Sequence, residues 1–276
     1  MSRLLLRTTC IIAALMMQLN TASQAQVPEA ADAKLGAKQW LQERVAEFET
    51  YQFEFADEPR SELVLEPGSL LNWSNAERGG DVGALLLWTH KGQPQLIACA
   101  YGRGERLRHE FHSLSTRPIA GERGGEPVHQ FKPGIEWRDL PDAPPPAKQR
   151  ALRLTQMRRQ AERFRVTIGE REQTEMRLLR QPVYRTPEES AADAAVFLFV
   201  QGTDPECVLM LEATDDKTWR YSLTRQTKMP IRIELDGTQV LEIPAFWLQA
   251  REDDGAFYVL VPPPLGQPGA GTAERR

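Results

Sequence analysis

The residue types best suited to chemistry are four histidines, all in the first half of the chain: His90, His109, His112 and His129. Two of them occur in the string Arg-His-Glu-Phe-His at 108–112, which superficially resembles a metal motif. Its spacing differs from His-Glu-x-x-His, which places two histidines on one face of a helix. The surrounding alternation predicts a strand, so Glu110 and His112 share one face while His109 points to the other.

Glu110 and His112 are therefore the candidate catalytic residues, and His90, His112 and His129 are the candidate metal ligands. A metal site would require neighbouring strands to bring His90 or His129 beside the pair, and catalytic metals do use histidine and carboxylate ligands. The alternative is a buried polar rung of a sheet, or histidines at the surface. Because the motif spacing gives no direct support, no metal and no cofactor are predicted.

Other classes of site lack the pattern that they need. The chain has no Gly-x-Ser-x-Gly elbow and no Cys-x-x-Cys pair, and its loop glycines do not lead from a strand into a helix as phosphate loops do. Two basic runs, 103–108 and 150–163, could attract anions, but interspersed acids and an exposed helix face favour simple solvation. With 34 basic and 38 acidic residues, a net charge of -4, a nucleic-acid partner is not expected.

The N-terminus has the three zones of a secretory signal peptide at residues 1–25. Arg3 and Arg7 give a short basic region, residues 11–17 are apolar, and small residues precede a cleavage point after Ala25. The apolar run is shorter than the ~20 residues that span a membrane, so a retained anchor is the less favoured alternative. The prediction is a periplasmic or extracellular protein with no transmembrane span after cleavage.

Cleavage would leave two cysteines, Cys99 and Cys207. An oxidising compartment permits a disulfide between them, whereas their positions in apolar strand patterns favour buried free thiols. The sequence leaves both alternatives open.

Helical and strand periodicities indicate an α+β protein of two similar units, each a helix followed by an antiparallel meander. The first unit is predicted at 36–140 and the second at 148–250, with a proline-rich linker at 141–147 and a disordered tail at 262–276. The layout is similar to a cystatin or nuclear-transport-factor-like roll, a likeness of architecture that carries no function.

The two units share a sequence pattern that indicates an internal repeat. Residues 83–99 align with 194–210 without a gap, and 118–128 align with 230–240 at one constant offset. The predicted alignment includes three further matches: Leu41, Val45 and Phe48 on Met157, Ala161 and Phe164; 112–114 on 221–223; and Trp137 on Trp247. A pseudo-twofold duplication explains these matches, and shared hairpin patterning is the alternative.

Several strings of the chain are similar to one protein family. They are His-Glu-Phe-His-Ser-Leu at 109–114, the helical segment 156–164, the segment 176–185, and Phe-Val-Gln-Gly-Thr-Asp-Pro-Glu at 199–206. Together they resemble an uncharacterised family of secreted planctomycete proteins over residues 65–240. The resemblance implies export and a shared fold, and it supplies no catalytic residues.

The favoured function is that of a non-catalytic envelope protein that binds a small molecule or another envelope protein. Two alternatives stay open: a metal-assisted hydrolase that uses Glu110 and His112, and a periplasmic carrier of an apolar molecule. The binding surface is expected on the concave side of a curved sheet, between the sheet and its helix. Bound metal would indicate the hydrolase, and a large apolar cavity would indicate the carrier.

Overall fold

The computed structural model describes residues 39, 42–43, 45–75, 81–103, 106–214, 217–245 and 255–260. Strands dominate this part of the chain, together with two short helices. Helix α1 includes the helical residues 42–43 and 45–48, and helix α2 spans Arg150–Ala161. The strands before α2 are β1 (Tyr51–Phe55), β2 (Val64–Leu65), β3 (Leu71–Asn75), β4 (Asp81–His90), β5 (Gln93–Arg103), β6 (Arg106–Ser113), β7 (Ile119–Arg123), β8 (Glu126–Phe131) and β9 (Arg138–Asp139). The strands after α2 are β10 (Phe164–Ile168), β11 (Thr174–Glu175), β12 (Arg177–Leu178), β13 (Tyr184–Arg185), β14 (Asp193–Gln201), β15 (Asp204–Ala213), β16 (Trp219–Arg225), β17 (Ile231–Leu235), β18 (Thr238–Ile243) and β19 (Phe257–Leu260).

Within the described residues these strands form two long and two small antiparallel sheets. The first long sheet has the order β19-β6-β5-β4-β2, with β3 also on β4, and the first small sheet has the order β1-β7-β8. The second long sheet has the order β12-β14-β15-β16-β9, with β13 on β14, and the second small sheet has the order β11-β10-β17-β18. The predicted antiparallel pairing is confirmed, while the helical share is smaller than the α+β prediction suggests.

Each long sheet is built on a hairpin whose strands are apolar on both faces. Residues 83–89 of β4 and 193–200 of β14 are buried without a break, the pattern of strands that are covered on both sides. The turn between β4 and β5 has positive φ at Lys91 and Gly92, 51° and 75°. Two consecutive residues in this region give the turn whose twist matches the flanking strands, and glycine adopts it without steric cost.

Three apolar clusters divide the sheets into layers. The middle cluster lies between the two long sheets and includes Leu85, Leu87, Ile97, Cys99, Val196, Leu198, Val208 and Met210. Each outer cluster lies between a long sheet and its small sheet, with Trp88 and Phe111 in the first and Leu209 and Ile233 in the second. Fully burying an aliphatic side chain contributes about 2 kcal/mol, so the middle cluster holds the two halves together. The described residues from 42 onwards accordingly belong to one compact unit.

The two halves repeat the same order of pairing. The bulge in the β4–β5 ladder begins at Trp88 and that in the β14–β15 ladder begins at Phe199, 111 residues later. The bulge in the β7–β8 ladder begins at Gly121 and that in the β17–β18 ladder begins at Ile233, 112 residues later. These separations equal the offsets of the two long aligned segments of the sequence.

The last strand of each half joins the long sheet of the other half. β9 follows the first small sheet along the chain and pairs with Arg220 and Tyr221 of β16. β19 follows the second small sheet and pairs with residues 109–112 of β6. Each half therefore covers an edge that would otherwise be open to pairing with another chain.

The predicted helix alignment is wrong by three residues. Helix α2 ends at Ala161, and Phe164, which was aligned with Phe48 of α1, is the first residue of β10. Tyr51 pairs with Arg123 and Phe164 pairs with Leu235, so Tyr51 is the counterpart of Phe164. The apolar spacing alone could not separate the end of the helix from the start of the strand.

The predicted match of 112–114 with 221–223 is also wrong. His112 lies opposite Ile97, whereas Thr224 lies opposite Val208, so Thr224 is the counterpart of His112. The reason is that the β15–β16 connection is longer than the β5–β6 connection.

Cys99 and Cys207 are free and buried. Cys99 belongs to the middle cluster and Cys207 to the second outer cluster, so the two thiols lie in different layers. The predicted signal peptide, the predicted tail at 262–276 and Trp247 lie outside the described residues. No helix in the described part of the chain is long and apolar enough to cross a membrane.

Gly134, in the connection from β8 to β9, lies against the end of β6. Its amide donates to the Ser115 carbonyl oxygen at 2.9 Å, and a Cβ at this position would overlap the backbone carbonyl of Ser113. We expect Gly134→Ala to lower the free energy of unfolding by about 3 kcal/mol, because backbone atoms cannot move aside easily. The control is Gly255→Ala, whose Cβ would meet the flexible Lys132 side chain at 3.0 Å. Urea unfolding should show a clearly smaller loss for the control, and equal losses would contradict the packing.

Candidate functional site

Glu110 and His112 lie on β6 and point towards the second long sheet. Glu110 is opposite Cys99 of β5, and His112 is opposite Ile97; both partners belong to the middle cluster. The two residues are 5% and 1% exposed. The predicted shared face is therefore observed, and it is buried between the two halves of the chain.

The two side chains contact each other directly. His112 Nε2 lies 3.0 Å from Glu110 Oε1, and the Gln226 amide donates to the same oxygen at 3.5 Å. The Tyr101 hydroxyl is a further hydrogen-bond partner of the carboxyl group. Because Gln226 directly follows β16, the Glu110 carboxyl group connects the first long sheet to the second.

Burial raises the pKa of the Glu110 carboxyl group to about 8, because removal from water disfavours the charged form. The positive charge of Lys228 is the largest opposing influence, followed by the Tyr101 hydrogen bond and the charge of Arg225. Glu110 can therefore hold a proton near neutral pH, a property that acid–base groups share.

A cavity of about 320 Å³ lies beside His112. It is open to the surface on one side and is lined by residues of β16, β18, β19 and the 133–138 segment, which leads into β9. Its walls combine polar side chains, among them His112, Thr224 and Glu136, with apolar ones, among them Ile135, Leu223, Leu241, Ile243 and Phe257. The predicted location between a sheet and its helix is therefore not where this cavity lies, because α2 contributes no residue to its lining.

The cavity lies where the two exchanged edges differ. β19 covers residues 109–112 of β6, whereas within the described residues β9 covers 220–221 of β16 and no more. Residues 223–225 of β16 line the cavity, and so does most of the 133–138 segment. Residues 133–137 therefore run beside β16 before β9 pairs with it, and the space between this segment and residues 223–225 is the cavity.

Arg225 places a positive charge in the wall of the cavity. The residue is 3% exposed, and its Nη2 donates to the Pro244 carbonyl oxygen at 2.5 Å. Its guanidinium carbon lies 5.8 Å from the centre of the Phe257 ring. Arg138, also in the lining, donates to the Val240 carbonyl oxygen at 2.7 Å and to the Glu136 carboxylate at 3.1 Å. The cavity thus combines apolar side chains with two cationic groups and with the Glu136 carboxylate, which pairs with Arg138.

The structure does not bring the predicted metal ligands together. The His90 ring packs on Phe55 at 5.2 Å, at the far end of β4. The His129 ring stacks on Tyr258 at 4.3 Å, while the His112 ring contacts Phe257 at 4.2 Å. Consecutive residues of a strand point to opposite faces, so β19 separates His112 from His129. Among the described residues, no three histidine, cysteine or acidic side chains are grouped to hold a metal ion.

A second polar cluster, which the sequence reasoning missed, lies on the opposite face of β6. Tyr51 Oη lies 2.9 Å from His109 Nδ1, and His109 Nε2 lies 3.6 Å from Glu47 Oε2. All three residues are at most 3% exposed, and the His109 ring packs on Phe48 at 4.2 Å. Burial raises the pKa of the Tyr51 hydroxyl group. Glu47, Tyr51 and His109 thus join α1 and β1 to β6, and they do so inside the first outer apolar cluster. We interpret their role as structural.

The basic run at 150–163 is partly engaged in ion pairs. Asp193 accepts from Arg153 Nε at 2.5 Å and from Arg185 Nη2 at 2.8 Å, and it lies 3.1 Å from Arg150 Nη1. These contacts hold the pKa of Asp193 below its usual value against the effect of burial. They attach the start of α2 to the second long sheet, so this part of the run is more than a solvated face.

A second cavity, also of about 320 Å³, has acidic residues and no basic residue in its described lining. One of the acids, Glu66, already accepts hydrogen bonds from Thr89 at 2.8 Å and Tyr184 at 3.3 Å. The floor of this second cavity is formed by Tyr51, Phe53 and Trp88, whose side chains are almost fully buried. The cavity beside His112 is therefore the better candidate site.

Comparison with protein-family models, with curated proteins and with solved structures finds no match to this chain. A function must therefore be argued from the chemistry of the cavity and its neighbours.

The raised pKa of Glu110 predicts a pH dependence of stability. Between about pH 4.5 and pH 8 the folded protein holds a proton that the unfolded chain has released, so stability falls as the pH rises through this range. Each pKa unit corresponds to about 1.4 kcal/mol. We expect the free energy of unfolding of the wild type to fall by about 4 kcal/mol more than that of Glu110→Gln between pH 5 and pH 8.5.

Chemical denaturation at several pH values measures this difference. The control is Glu242→Gln on β18. The Glu242 side chain is 60% exposed, and its neighbours Leu241 and Ile243, but not Glu242 itself, line the cavity. The control should keep the wild-type slope, and parallel curves for wild type and Glu110→Gln would contradict the buried, proton-holding carboxyl group.

Proposed function

We propose that the chain is an exported, non-catalytic binding protein whose ligand is a small organic anion with an apolar body. The ligand would occupy the cavity between β16, β18, β19 and the 133–138 segment. The observation that carries the proposal is Arg225, a charged residue 3% exposed in the wall of a cavity that also presents apolar side chains.

The size of the cavity supports a small ligand. Its volume of about 320 Å³ is at the lower end of the range for small-molecule sites, roughly 300–1,000 Å³. A dry apolar cavity of about 150 Å³ already accepts benzene. A single ring or short aliphatic chain with one charged group is therefore the expected scale.

The charge of the lining supports an anion. A guanidinium group can donate two parallel hydrogen bonds to a carboxylate, which gives both affinity and orientation. Arg225 is the cation of the lining that this argument uses, because Arg138 is 37% exposed and already pairs with the Glu136 carboxylate in the same lining. The apolar side chains opposite them would cover the rest of the ligand, so a neutral apolar cargo fits this lining less well than an anion.

We infer that the chain arose by duplication of one helix-plus-meander unit, with a pseudo-twofold relation between the halves and a cystatin or nuclear-transport-factor-like layout in each. The support is the repeated pairing order, the equivalent bulges and the reciprocal exchange of β9 and β19. The binding cavity would then be a departure from this symmetry.

Export rests on the N-terminal sequence, which has the zones of a signal peptide ending at Ala25. Expression of the whole chain in a bacterium should give a processed protein outside the cytoplasm. Mass spectrometry of the purified protein identifies the new N-terminus, and an unprocessed cytoplasmic product would contradict export.

The hydrolase alternative is less well supported than binding. Glu110 and His112 are in contact beside the cavity, but His90 and His129 point elsewhere, so a metal would lack protein ligands from the predicted set. Glu110 and His112 therefore have no catalytic step in the proposed function.

Binding can be tested with phenylacetate and its neutral counterpart 2-phenylethanol. For a ligand of this size a dissociation constant near 1 mM is expected, from about -0.4 kcal/mol per non-hydrogen atom. Phenylacetate should bind more tightly than the alcohol by about tenfold, because a charge-assisted hydrogen bond contributes about 1.5 kcal/mol or more. NMR-detected titration of the purified protein measures both constants.

The variant Arg225→Met should lose most of the preference for phenylacetate. The matched control is Arg232→Met on β17, which removes the same charge from a residue that does not line the cavity. The control should bind as the wild type does. Equal affinity of the wild type for the acid and the alcohol would contradict the proposed ligand class.

A further inference from the structure

We propose that Glu110 and His112 form a proton-binding site coupled to the cavity, so that the protein takes up one proton together with the organic anion. This inference rests on the proposed function, because it describes how binding in that cavity is regulated. The observation that supports it is the position of His112, which lines the cavity and lies 3.0 Å from the Glu110 carboxyl group.

The charge of the pair depends on one proton. With one proton the pair is neutral overall, whether the proton resides on the carboxyl group or on the imidazole, where it would give an ion pair. Without the proton the pair carries one negative charge, which stays on Glu110. Both residues are at most 5% exposed, and charges interact more strongly in such surroundings than in water.

An anion in the cavity discriminates between these two states. It would be repelled by the deprotonated pair, and it would be attracted by an imidazolium at His112, in the lining. The anion therefore binds more tightly to the protonated pair, and by reciprocity its binding raises the affinity of the pair for the proton. Written as a balance, the deprotonated protein plus one proton plus one anion gives the protonated complex.

The surroundings of the pair contain several other charged or titratable groups. On β5, Cys99 and Tyr101 face the pair, and burial raises the pKa of both far enough that they stay neutral.

The second long sheet contributes Arg225, Gln226 and Lys228. The positive charges of Arg225 and Lys228 lower the pKa of Glu110. Glu206 of β15 is next to Gln226, whose backbone N–H donates a hydrogen bond to the Glu206 carbonyl oxygen at 2.8 Å. On β19 the partners of the pair are apolar, Phe257 and Val259. In the cavity lining, Glu136 and Arg138 pair with each other.

The pair is not required by the sheet itself. In the second long sheet the equivalent positions are Ser222 and Thr224. They pair with Met210 and Val208, which belong to the middle cluster. Neither of these side chains titrates, yet the strand has the same place in its sheet. A buried acid and imidazole are therefore a feature of the first half alone, at the side of the cavity.

The expected pH range follows from the burial of the carboxyl group. The pKa of Glu110, raised by burial to about 8, places the loss of the proton just above neutral pH. Binding of the anion should be nearly constant below this range and should weaken above it. The limiting slope for one coupled proton is tenfold in the dissociation constant per pH unit.

The test uses phenylacetate as the probe and the purified wild-type protein between pH 6 and pH 9.5. We expect the dissociation constant to rise by about tenfold between pH 8.5 and pH 9.5, measured by NMR-detected titration. In a weakly buffered solution at pH 9, a pH electrode should record the uptake of nearly one proton per phenylacetate bound. This proton count needs no variant and so does not depend on how a substitution affects folding.

Two variants locate the proton. Glu110→Gln should remove the pH dependence and the proton uptake, while Glu242→Gln on the neighbouring β18 should retain both. A dissociation constant that is flat from pH 6 to pH 9.5 in the wild type, or an unchanged slope in Glu110→Gln, overturns the proton coupling and leaves the binding proposal standing. No binding of phenylacetate at pH 6 instead overturns the proposed function, and the proton coupling with it.

Discussion

Contact between the two long sheets is the constraint on which the rest of the structure depends. It covers the inner face of β4, β5, β14 and β15 with one apolar cluster, while the small sheets and helices cover the outer faces. Strands covered on both sides must be apolar throughout, which explains the unbroken hydrophobic runs of both hairpins. The same contact places the polar pair Glu110 and His112 in a buried environment, because these residues share their face with the middle cluster.

The exchange of β9 and β19 links this packing to the candidate function. Each half completes the long sheet of the other, so the edges of the two sheets depend on chain segments that arrive from a distance. Where β19 covers β6 over four residues, the edge is closed. Where β9 covers β16 over two residues, a cavity is left, and it is lined by Arg225 and bordered by His112. A difference between two otherwise similar edges is thus enough to create a cavity.

Local patterns predicted the parts of this structure that local interactions determine. The alternation around Glu110 and His112 placed both on one strand face, and the apolar runs with their turns located both long hairpins. Arg225 and the cavity were not predictable, because their significance depends on how far a distant segment covers β16. The two-residue strand β9 has no periodicity of its own to detect. Glu47, Tyr51 and His109 form their cluster across 58 residues or more, and no spacing in the sequence marks such a contact.

A crystal structure of the protein grown with phenylacetate would test the central claim most directly, since that claim concerns the location and chemistry of one site. The account predicts electron density for the ligand between β16 and the 133–138 segment, with its carboxylate within hydrogen-bond distance of the Arg225 guanidinium group and its ring against Phe257. A closed cavity, or density for phenylacetate at other positions alone, would contradict it.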